Sequence, residues 1–316
     1  MTFYEFNQKF PTDADAINYY IKIRYKNVLT CPHCKSNVNI YQFRKRPKIF
    51  QCNNCNNTFS AFKGTIFEKS RTDMRKWFYT IHLMLNGKKG ISSLQLQRET
   101  GVTRKCAWRM LKQLRLDMGN VDNTDAFEFI VEADETYVGG NPKWRKFKKT
   151  ENTEYKHVTK RGRGTNKTPI FGIKERSTGK VHAVIMPEDN NNHALTSRQI
   201  INVINKVCKK DTTVMTDQYR SYNSINSENN KNLHHFVINH SIGEYSKDGF
   251  IHTNGIENFW SLFKRGYYGI YHRISVKYLQ SYINEFCFRM NNRKNVNIFD
   301  SLLDQAVIDE QNIKVA

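Results

Sequence analysis

Apolar positions change rhythm along the chain, and each change marks a new piece. Over residues 1–29 they recur at helical spacing, with Ala14, Ile17, Tyr20 and Ile21 on one side, which predicts a short helical lead-in. VNIYQFRKRPKIFQC then alternates, as strands do. Residues 70–118 return to the helical period, and Trp77, Ile81, Met84 and Leu85 form one amphipathic stripe. In SSLQLQRETGVTRKCAWRMLKQLRLDM the pattern predicts a first helix near Ser92–Thr100, a turn at Gly101-Val102 and a second helix capped by Thr103. Trp108, Leu111 and Leu114 are expected to face inward from that second helix. Farther on, Phe127–Val138, Pro169–Glu175 and Val181–Met186 read as strands, the last two joined by the turn ERSTGK. A helix near Ala194–Lys209 follows, then strands at Thr212–Thr216 and His235–Asn239 and a helix at Asn254–Arg265. Amphipathic helices near Val276–Asn291 and Ile298–Asp309 close the pattern.

Three serial strands, a helix, a strand and further α/β elements is the order of a ribonuclease-H-like core. The expected fold class is therefore α/β: a ribonuclease-H-like mixed-sheet domain over residues 121–292, carrying a basic loop at 139–168. Ahead of it stand a helix and metal ribbon (1–67) and a helix-turn-helix (68–120), and a C-terminal helix follows (293–316).

Charge changes the picture from fold to partner. Lys and Arg number 50 against 29 Asp and Glu in 316 residues, a formal net charge of +21. A surplus of that size points to polyanions, and the expected partner is double-stranded DNA. On the second helix of the helix-turn-helix, Arg104, Lys105, Arg109 and Lys112 would face a groove or phosphates. From Lys143 to Lys167 the chain has ten Lys or Arg and only Glu151 and Glu154 as acids. Such a segment cannot bury a core and reads as a loop that clamps nucleic-acid backbone, with Lys146, Lys148, Lys149, Arg161 and Arg163 as contacts. Runs of about 18 apolar residues are absent, so no membrane span is expected. The acidic start MTFYEFNQKFPTDADA has no apolar signal core, which predicts a cytoplasmic protein associated with the nucleoid, or a nuclear one in a eukaryotic host.

The seven cysteines fit metal binding in a reducing compartment. Cys31, Cys34, Cys52 and Cys55 are spaced C-x2-C-x17-C-x2-C, which predicts a ribbon holding one structural Zn²⁺ per chain. His33 lies inside a complete set and is not expected to ligate. Cys106, Cys208 and Cys287 read as buried small side chains.

Carboxylates supply the candidate chemistry. Asp134 sits in FIVEADETYVGG, Asp217 at the end of TTVMTDQYRSY, and Glu257 on the helix of HTNGIENFWSLFKRGYYGIYHRIS. Lys264 follows Glu257 by seven residues, about two turns at ~3.6 residues per turn, so the two share a face. Two strand-end aspartates and a helix glutamate can hold a pair of divalent cations for in-line phosphoryl transfer. Asp134 and Glu135 must face opposite sides of a strand, and parity alone admits Glu132 beside Asp134. Asp122 and Asp125 are expected to cap or be solvated, and Glu188 and Asp189 to serve a turn. His252 and His272 read as structural hydrogen-bonding groups, and Trp260 as the anchor of its helix in the core.

These motifs carry a family resemblance. CPHC and CNNC, VEADETYVGG, PIFGIKERSTGKVHAV, TDQYRSY, and HTNGIENFW with KRGYYGIYHRIS together resemble a DDE-type insertion-sequence transposase, from the zinc-ribbon branch related to eukaryotic Merlin elements. The likeness runs over about residues 15–290. It implies Asp134 rather than Glu132, with Asp217 and Glu257, as ligands of two Mg²⁺ or Mn²⁺ ions, and it implies a Lys264 contact to DNA, which Arg265 adjoins. Some relatives use asparagine as the third ligand, which makes Asn254 a rival or helper. Glu257 is preferred because Mg²⁺ favours anionic oxygen. The implied substrate is the element's terminal inverted repeats, cleaved and joined to target DNA by a homodimer or larger synaptic assembly. Alternatives are a ribonuclease-H-like nuclease or resolvase, and a domesticated descendant acting as a DNA-binding regulator.

Overall fold

A computed structural model describes residues 1–119, 127–139, 167–188, 195–226, 232–239 and 250–306. The chain divides into two units, Met1–Asp122 with Asn292–Ala316, and Asn123–Asn291.

The first unit opens with α1 (Phe3–Lys9) and α2 (Asp13–Arg24), each started by a capping box, Thr2 with Glu5 and Thr12 with Asp15. The inner stripe of α2 is Ala16, Ile17 and Tyr20, so Ala16 takes the core position expected for Ala14. Strands β1 (Ile40–Phe43), β2 (Arg46–Cys52) and β3 (Thr58–Ser60) form an antiparallel sheet in that order. Two matching knuckles flank the β1–β2 hairpin. In each, the residue after the second cysteine turns left-handed, Lys35 at φ 61° and Asn56 at φ 54°. In each, too, the first cysteine's N–H reaches a carbonyl five residues on, Cys31 to Ser36 and Cys52 to Asn57. The four thiols converge, with Sγ–Sγ distances of 3.7 Å for Cys31–Cys55 and 3.6 Å for Cys34–Cys52. A tetrahedron with Zn–S of about 2.3 Å has edges of about 3.8 Å, so the cage fits zinc. The exposed His33 is not in it.

Three helices follow in this unit. Helix α3 (Met74–Asn86) buries Trp77, Phe78, Ile81 and Met84. Helix α4 (Ser93–Thr100) is capped by Ser92 and stopped by Gly101, whose φ of 67° lets the chain turn without strain. Thr103 then caps α5 (Arg104–Asp117), its hydroxyl accepting from the Cys106 N–H at 3.3 Å. Ala107, Met110, Leu111 and Leu114 make the inner stripe of α5. Trp108 lies about 100° round from Ala107 and falls outside that stripe; it is 38% exposed, which corrects its expected inward placement.

The second unit is built on a five-stranded sheet of order β6-β5-β4-β7-β8. Strands β4 (Ile130–Val138), β5 (Thr168–Glu175) and β6 (Val181–Ile185) pair antiparallel. Strands β7 (Thr213–Thr216) and β8 (His234–Val237) run parallel to β4. The first strand begins later than the pattern predicts because Phe129 adopts a positive φ of 57°; Phe127 makes only a single bridge, to Cys208. One face of the sheet packs Val131, Ala133, Phe171 and Ile173 against α6 (Ser197–Val207) and Tyr222 of the short 3-10 helix Arg220–Asn226. The opposite face carries α7 (Asn254–Gly266), the π turn Tyr267–Tyr271 and α8 (Val276–Asn291), through Ile256, Phe259, Trp260, Phe263, Ile283 and Phe286. Cys208 and Cys287 are buried as expected, whereas Cys106 is only partly so.

Beyond that unit, α9 (Ile298–Gln305) belongs with the first, where Phe299 stacks on Phe10 at 5.9 Å and meets Phe78 edge-on at 5.3 Å. Among the described residues, no helix is long and apolar enough to cross a membrane.

The thiol cage generates a first expectation. Purified protein should carry one zinc per chain, and Cys52→Ser should lose it and destabilise the first unit, because thiolate ligation contributes folding energy directly. Elemental analysis showing full zinc in that variant would overturn the ribbon assignment.

Candidate active site

Strand pairing decides where the carboxylates meet. On its β5 side β4 is paired from Val131 to Val138, but on its β7 side only from Ile130 to Glu132. Strand β7 ends at Thr216, so past Glu132 that edge of β4 is unpaired among the described residues, at the carboxyl ends of parallel strands where α/β sheets commonly bind ligands. Asp217 stands there. Asp134, Glu135 and Asp217 each bring a carboxylate oxygen to within 4.8 Å of the others. Strand alternation predicted that only one of Asp134 and Glu135 could point at the site. Glu135 nonetheless brings an oxygen into this trio, and it is the clustered carboxylate that periodicity leaves out.

Two of the three are held by hydrogen bonds. The Tyr222 hydroxyl, fully buried, donates to Glu135 Oε2 at 2.7 Å, and the Tyr219 N–H donates to Asp217 Oδ1 at 3.0 Å. Burial pushes the Asp134 carboxyl up to about 8, with Glu135, Asp217 and Glu257 adding like-charge repulsion.

Glu257 arrives from the other layer. Helix α7 lies close on the sheet because two glycines let it. A Cβ on Gly172, the cross-strand partner of Asp134, would come within 2.5 Å of the Trp260 ring, and one on Gly255 within 2.6 Å of Glu132 Oε2. Trp260 is buried, as its expected anchoring role requires. On a helical wheel Glu257 and Lys264 fall about 20° apart, beside the buried face, with Asn254 about 60° farther round. Glu257 is exposed, and its Oε1 accepts from the Thr253 hydroxyl at 2.8 Å. It is outside the trio within 4.8 Å, yet its charge acts on Asp134. Asn254 is exposed at the first position of α7, Lys264 is half-buried, and the exposed Arg265 donates to Ser261 Oγ at 3.0 Å.

Glu132, which parity admitted, is taken up elsewhere. It is 1% exposed and accepts from the Ile256 N–H at 2.9 Å and from Arg176 Nε at 2.7 Å. His252 Nδ1 lies 3.3 Å from it and His272 Nδ1 3.0 Å from the Tyr268 carbonyl, structural contacts of the kind expected for both.

Among the basic residues expected at DNA, Arg104, Lys105 and Arg109 are exposed on α5 and Lys112 is half-buried. Trp108 stands among them, with the Lys112 ammonium 5.9 Å from its ring centroid. Lys146, Lys148, Lys149, Arg161 and Arg163 lie outside the described residues, as do Asp122, Asp125 and Asp189; Glu188 is exposed.

The donor set fits divalent cations. Three clustered carboxylates offer hard oxygens, the kind Mg²⁺ and Mn²⁺ prefer, and a bound cation would favour the ionised form of Asp134 against the burial and like-charge repulsion that raise it.

Comparison with known proteins gives the family. Residues 128–291 match the ISXO2-like transposase domain, and residues 11–58 match the transposase zinc-ribbon domain. Over 264 residues the chain is 30% identical to a Halobacterium salinarum protein described as an uncharacterized protein in transposable element ISH50, spanning 81% of this chain and 83% of that one. A Haemophilus influenzae transposase-like protein is 28% identical over 132 residues, 41% of this chain and 98% of its own length. Among solved structures, the Mos1 transposase paired-end complex with left transposon end aligns over 72% of this chain and 78% of its own, at 10% identity and a TM-score of 0.28, too loose a likeness to argue from.

Burial and charge crowding at Asp134 generate a pH expectation. The Asp134 carboxyl titrates near 8 in the fold against an ordinary 3.8, so between these values the folded state binds more protons than the unfolded chain. The stability of metal-free protein should therefore fall as pH rises from about 4 to about 8. Asp134→Asn removes that penalty. Its melting temperature should exceed that of metal-free wild type at pH 8, and the gain should shrink toward zero near pH 4. An equal gain at both pH values would show that ionisation of Asp134 is not the cause.

Proposed function

The chain belongs to the DDE-type insertion-sequence transposases, and from that membership we propose that Asp134, Asp217 and Glu257 bind the two divalent cations that serve its strand cleavage and strand transfer. The observation that carries this is the gathering of Asp134 and Asp217 at the open edge of β4, with Glu257 near enough to raise the Asp134 carboxyl. The strand order, with three antiparallel strands and then two parallel to the first, supports a ribonuclease-H-like core. When bound, the cations supply Lewis-acid stabilisation to the attacking and leaving oxygens of an in-line displacement.

The protein's own groups do the rest. The carboxylates orient the attacking water and scissile phosphate at one edge of the sheet. Water attacks phosphorus at the element end, the bond to the 3′ oxygen breaks, and a free 3′-hydroxyl results. That hydroxyl attacks a target phosphodiester in a second in-line displacement, and its oxygen bonds to phosphorus. The target strand's bond from that phosphorus to its own 3′ oxygen breaks, the attacking hydroxyl's proton passes to the departing oxygen, and no protein–DNA bond forms. Lys264, on the Glu257 side of α7, holds a phosphate as a point charge, with Arg265 next to it. Glu135, fixed by Tyr222, is a fourth carboxylate within reach of the cations.

Recognition belongs to the first unit in this reading. Helices α4 and α5, joined through left-handed Gly101, form a helix-turn-helix whose exposed face of Arg104, Lys105, Trp108 and Arg109 enters the groove of the terminal repeats. The indole adds an apolar contact of the sort that distinguishes thymine by its methyl group. An element has two ends, so the working form is a dimer or larger synaptic assembly.

Two experiments test this function. With Mg²⁺ or Mn²⁺ and an end-containing duplex, Asp134→Ala, Asp217→Ala and Glu257→Ala should each abolish nicking while leaving DNA binding nearly intact. Lys264→Ala should slow nicking roughly tenfold to a hundredfold, the worth of one charged hydrogen bond. Glu135→Gln and Asn254→Ala identify the third ligand. Either one dead while Glu257→Ala still cuts would displace Glu257, and normal cutting by all three alanine variants would remove the mechanism.

The second experiment concerns the reader. Replacing Arg104, Lys105 and Arg109 with alanine should weaken binding to terminal repeats and reduce the salt slope by about 0.9 per lost phosphate contact. Trp108→Ala should weaken binding to the repeats with little change in that slope. Equal loss on unrelated duplex in both variants would rule α5 out as the sequence reader.

A further inference from the structure

Helix α7 carries Glu257, and its first turn is held in an unusual way. Thr253 occupies the N-cap, yet its hydroxyl makes no capping bond and goes instead to Glu257 Oε1 at 2.8 Å. The vacated capping duty passes to another element. Glu132 of β4 puts Oε2 on the Ile256 N–H at 2.9 Å, which satisfies a first-turn donor and places negative charge at the positive end of the helix. A buried carboxylate requires its own partner, and Arg176, just past the end of β5, supplies it at 2.7 Å. The same guanidinium donates to the Phe250 carbonyl and to the His252 carbonyl, each at 2.6 Å. His252 Nδ1 sits between the two charges, 2.9 Å from Arg176 Nη2 and 3.3 Å from Glu132 Oε1. Lys174, paired across the sheet with Glu132, completes the set by donating to the Gly255 carbonyl at 3.0 Å.

Backbone at Phe250, His252, Gly255 and Ile256 is thus tied to side chains of the β4–β5 pair. Glu132 precedes Asp134 by two residues on one strand, about 7 Å. Whatever fixes α7 to Glu132 therefore fixes Glu257 against Asp134. Gly255 agrees with this arrangement, since a Cβ there would stand 2.6 Å from Glu132 Oε2 and push the clamp apart.

We propose that Glu132 and Arg176 are positioning residues of the transposition site: an N-cap supplied by the sheet that sets the height and rotation of α7, and so holds the Glu257 carboxylate at the cations bound by Asp134 and Asp217. The proposal rests on the reading of Glu257 as a cation ligand. Neither residue touches substrate or cation; both act through α7.

The test uses zinc-loaded, full-length protein and Tb³⁺, a hard oxygen-seeking probe whose luminescence is excited through nearby Trp260 and Tyr222. Arg176→Ala should raise the half-saturating Tb³⁺ concentration about tenfold or more, the usual scale for losing a group that orients a metal ligand. The same variant should shift the Mg²⁺ dependence of nicking upward by a similar factor. Arg176→Lys keeps the charge but loses the fork and should fall between wild type and alanine, which preserves the test if the alanine variant folds poorly. Ile204→Ala, a core truncation on the opposite face of the sheet, should lower the melting temperature without shifting Tb³⁺ affinity, and so separates positioning from general loss of stability. Glu257→Gln distinguishes the two layers of the argument. Arg176 variants that bind Tb³⁺ like wild type while Glu257→Gln binds weakly overturn the clamp alone. Wild-type affinity in Glu257→Gln removes the ligand reading, and the clamp falls with it for want of a carboxylate to position.

Discussion

Like charge held close is the condition the second unit is built around. Asp134, Glu135 and Asp217 bring oxygens within 4.8 Å, and Glu257 adds its field. Left to themselves such groups would separate or take up protons; the Asp134 carboxyl is raised first by burial and then by this repulsion. What keeps them together is scaffold rather than mutual attraction. Strand β4 lies inside the sheet, with a partner on each side. Asp217 is pinned by a backbone N–H two residues on, Glu135 by a buried phenol, and Glu257 by the hydroxyl of its own N-cap residue. The hydrophobic layers on both faces of the sheet supply the stability against which this repulsion is set.

A second carboxylate pattern runs beside the first and has the opposite character. Glu132 has the same parity as Asp134 but faces a guanidinium, an imidazole and a helix N-terminus. Its charge is neutralised inside the protein, whereas that of the neighbouring cluster calls for a cation. Two residues of strand thus separate a carboxylate that holds the fold from one that awaits a ligand. In the proposed clamp they are two ends of one device, since rotation of α7 at the first moves Glu257 at the second.

Much of this was legible in the residues. Helices α4, α5, α7 and α8 and the five strands of the second unit fall close to where periodicity and caps put them, because Ser92, Thr103 and Gly101 punctuate strongly and the core stripes are regular. The thiol cage follows directly from the cysteine spacing. What periodicity could not reach were contacts set by pairing length. Glu135 joins the carboxylate cluster beyond the end of β7 at Thr216, held by Tyr222, and nothing local to DETYVGG signals where a distant strand ends or which phenol meets it. Trp108 departs from the pattern for a different reason. Hydrophobicity argued inward, but Ala107 and Leu111 already filled the stripe, and the larger side chain lost its place to the smaller. Glu132 was undecidable from parity because its partner, Arg176, sits in a turn that reads as punctuation.

The motifs that carry the family likeness acquire separate physical reasons. In VEADETYVGG, Asp134 and Glu135 belong to the cluster, while Glu132 belongs to the helix it caps. PIFGIKERSTGKVHAV has no cluster carboxylate, yet it supplies Gly172 as the floor for Trp260, Lys174 for the Gly255 carbonyl, and Arg176 for Glu132. HTNGIENFW supplies the matching parts: His252 between the charges, Thr253 on Glu257, Gly255 where a methyl would strike Glu132, and Trp260 over the glycine floor. More of these letters serve the docking of α7 than belong to the carboxylate cluster. That balance follows from geometry. A carboxylate triad drawn from two strands and one helix is only as well placed as the contact between helix and sheet. Such a contact requires glycines for close approach and a cap from the sheet itself, because the hydroxyl of the helix's own N-cap residue is committed to Glu257.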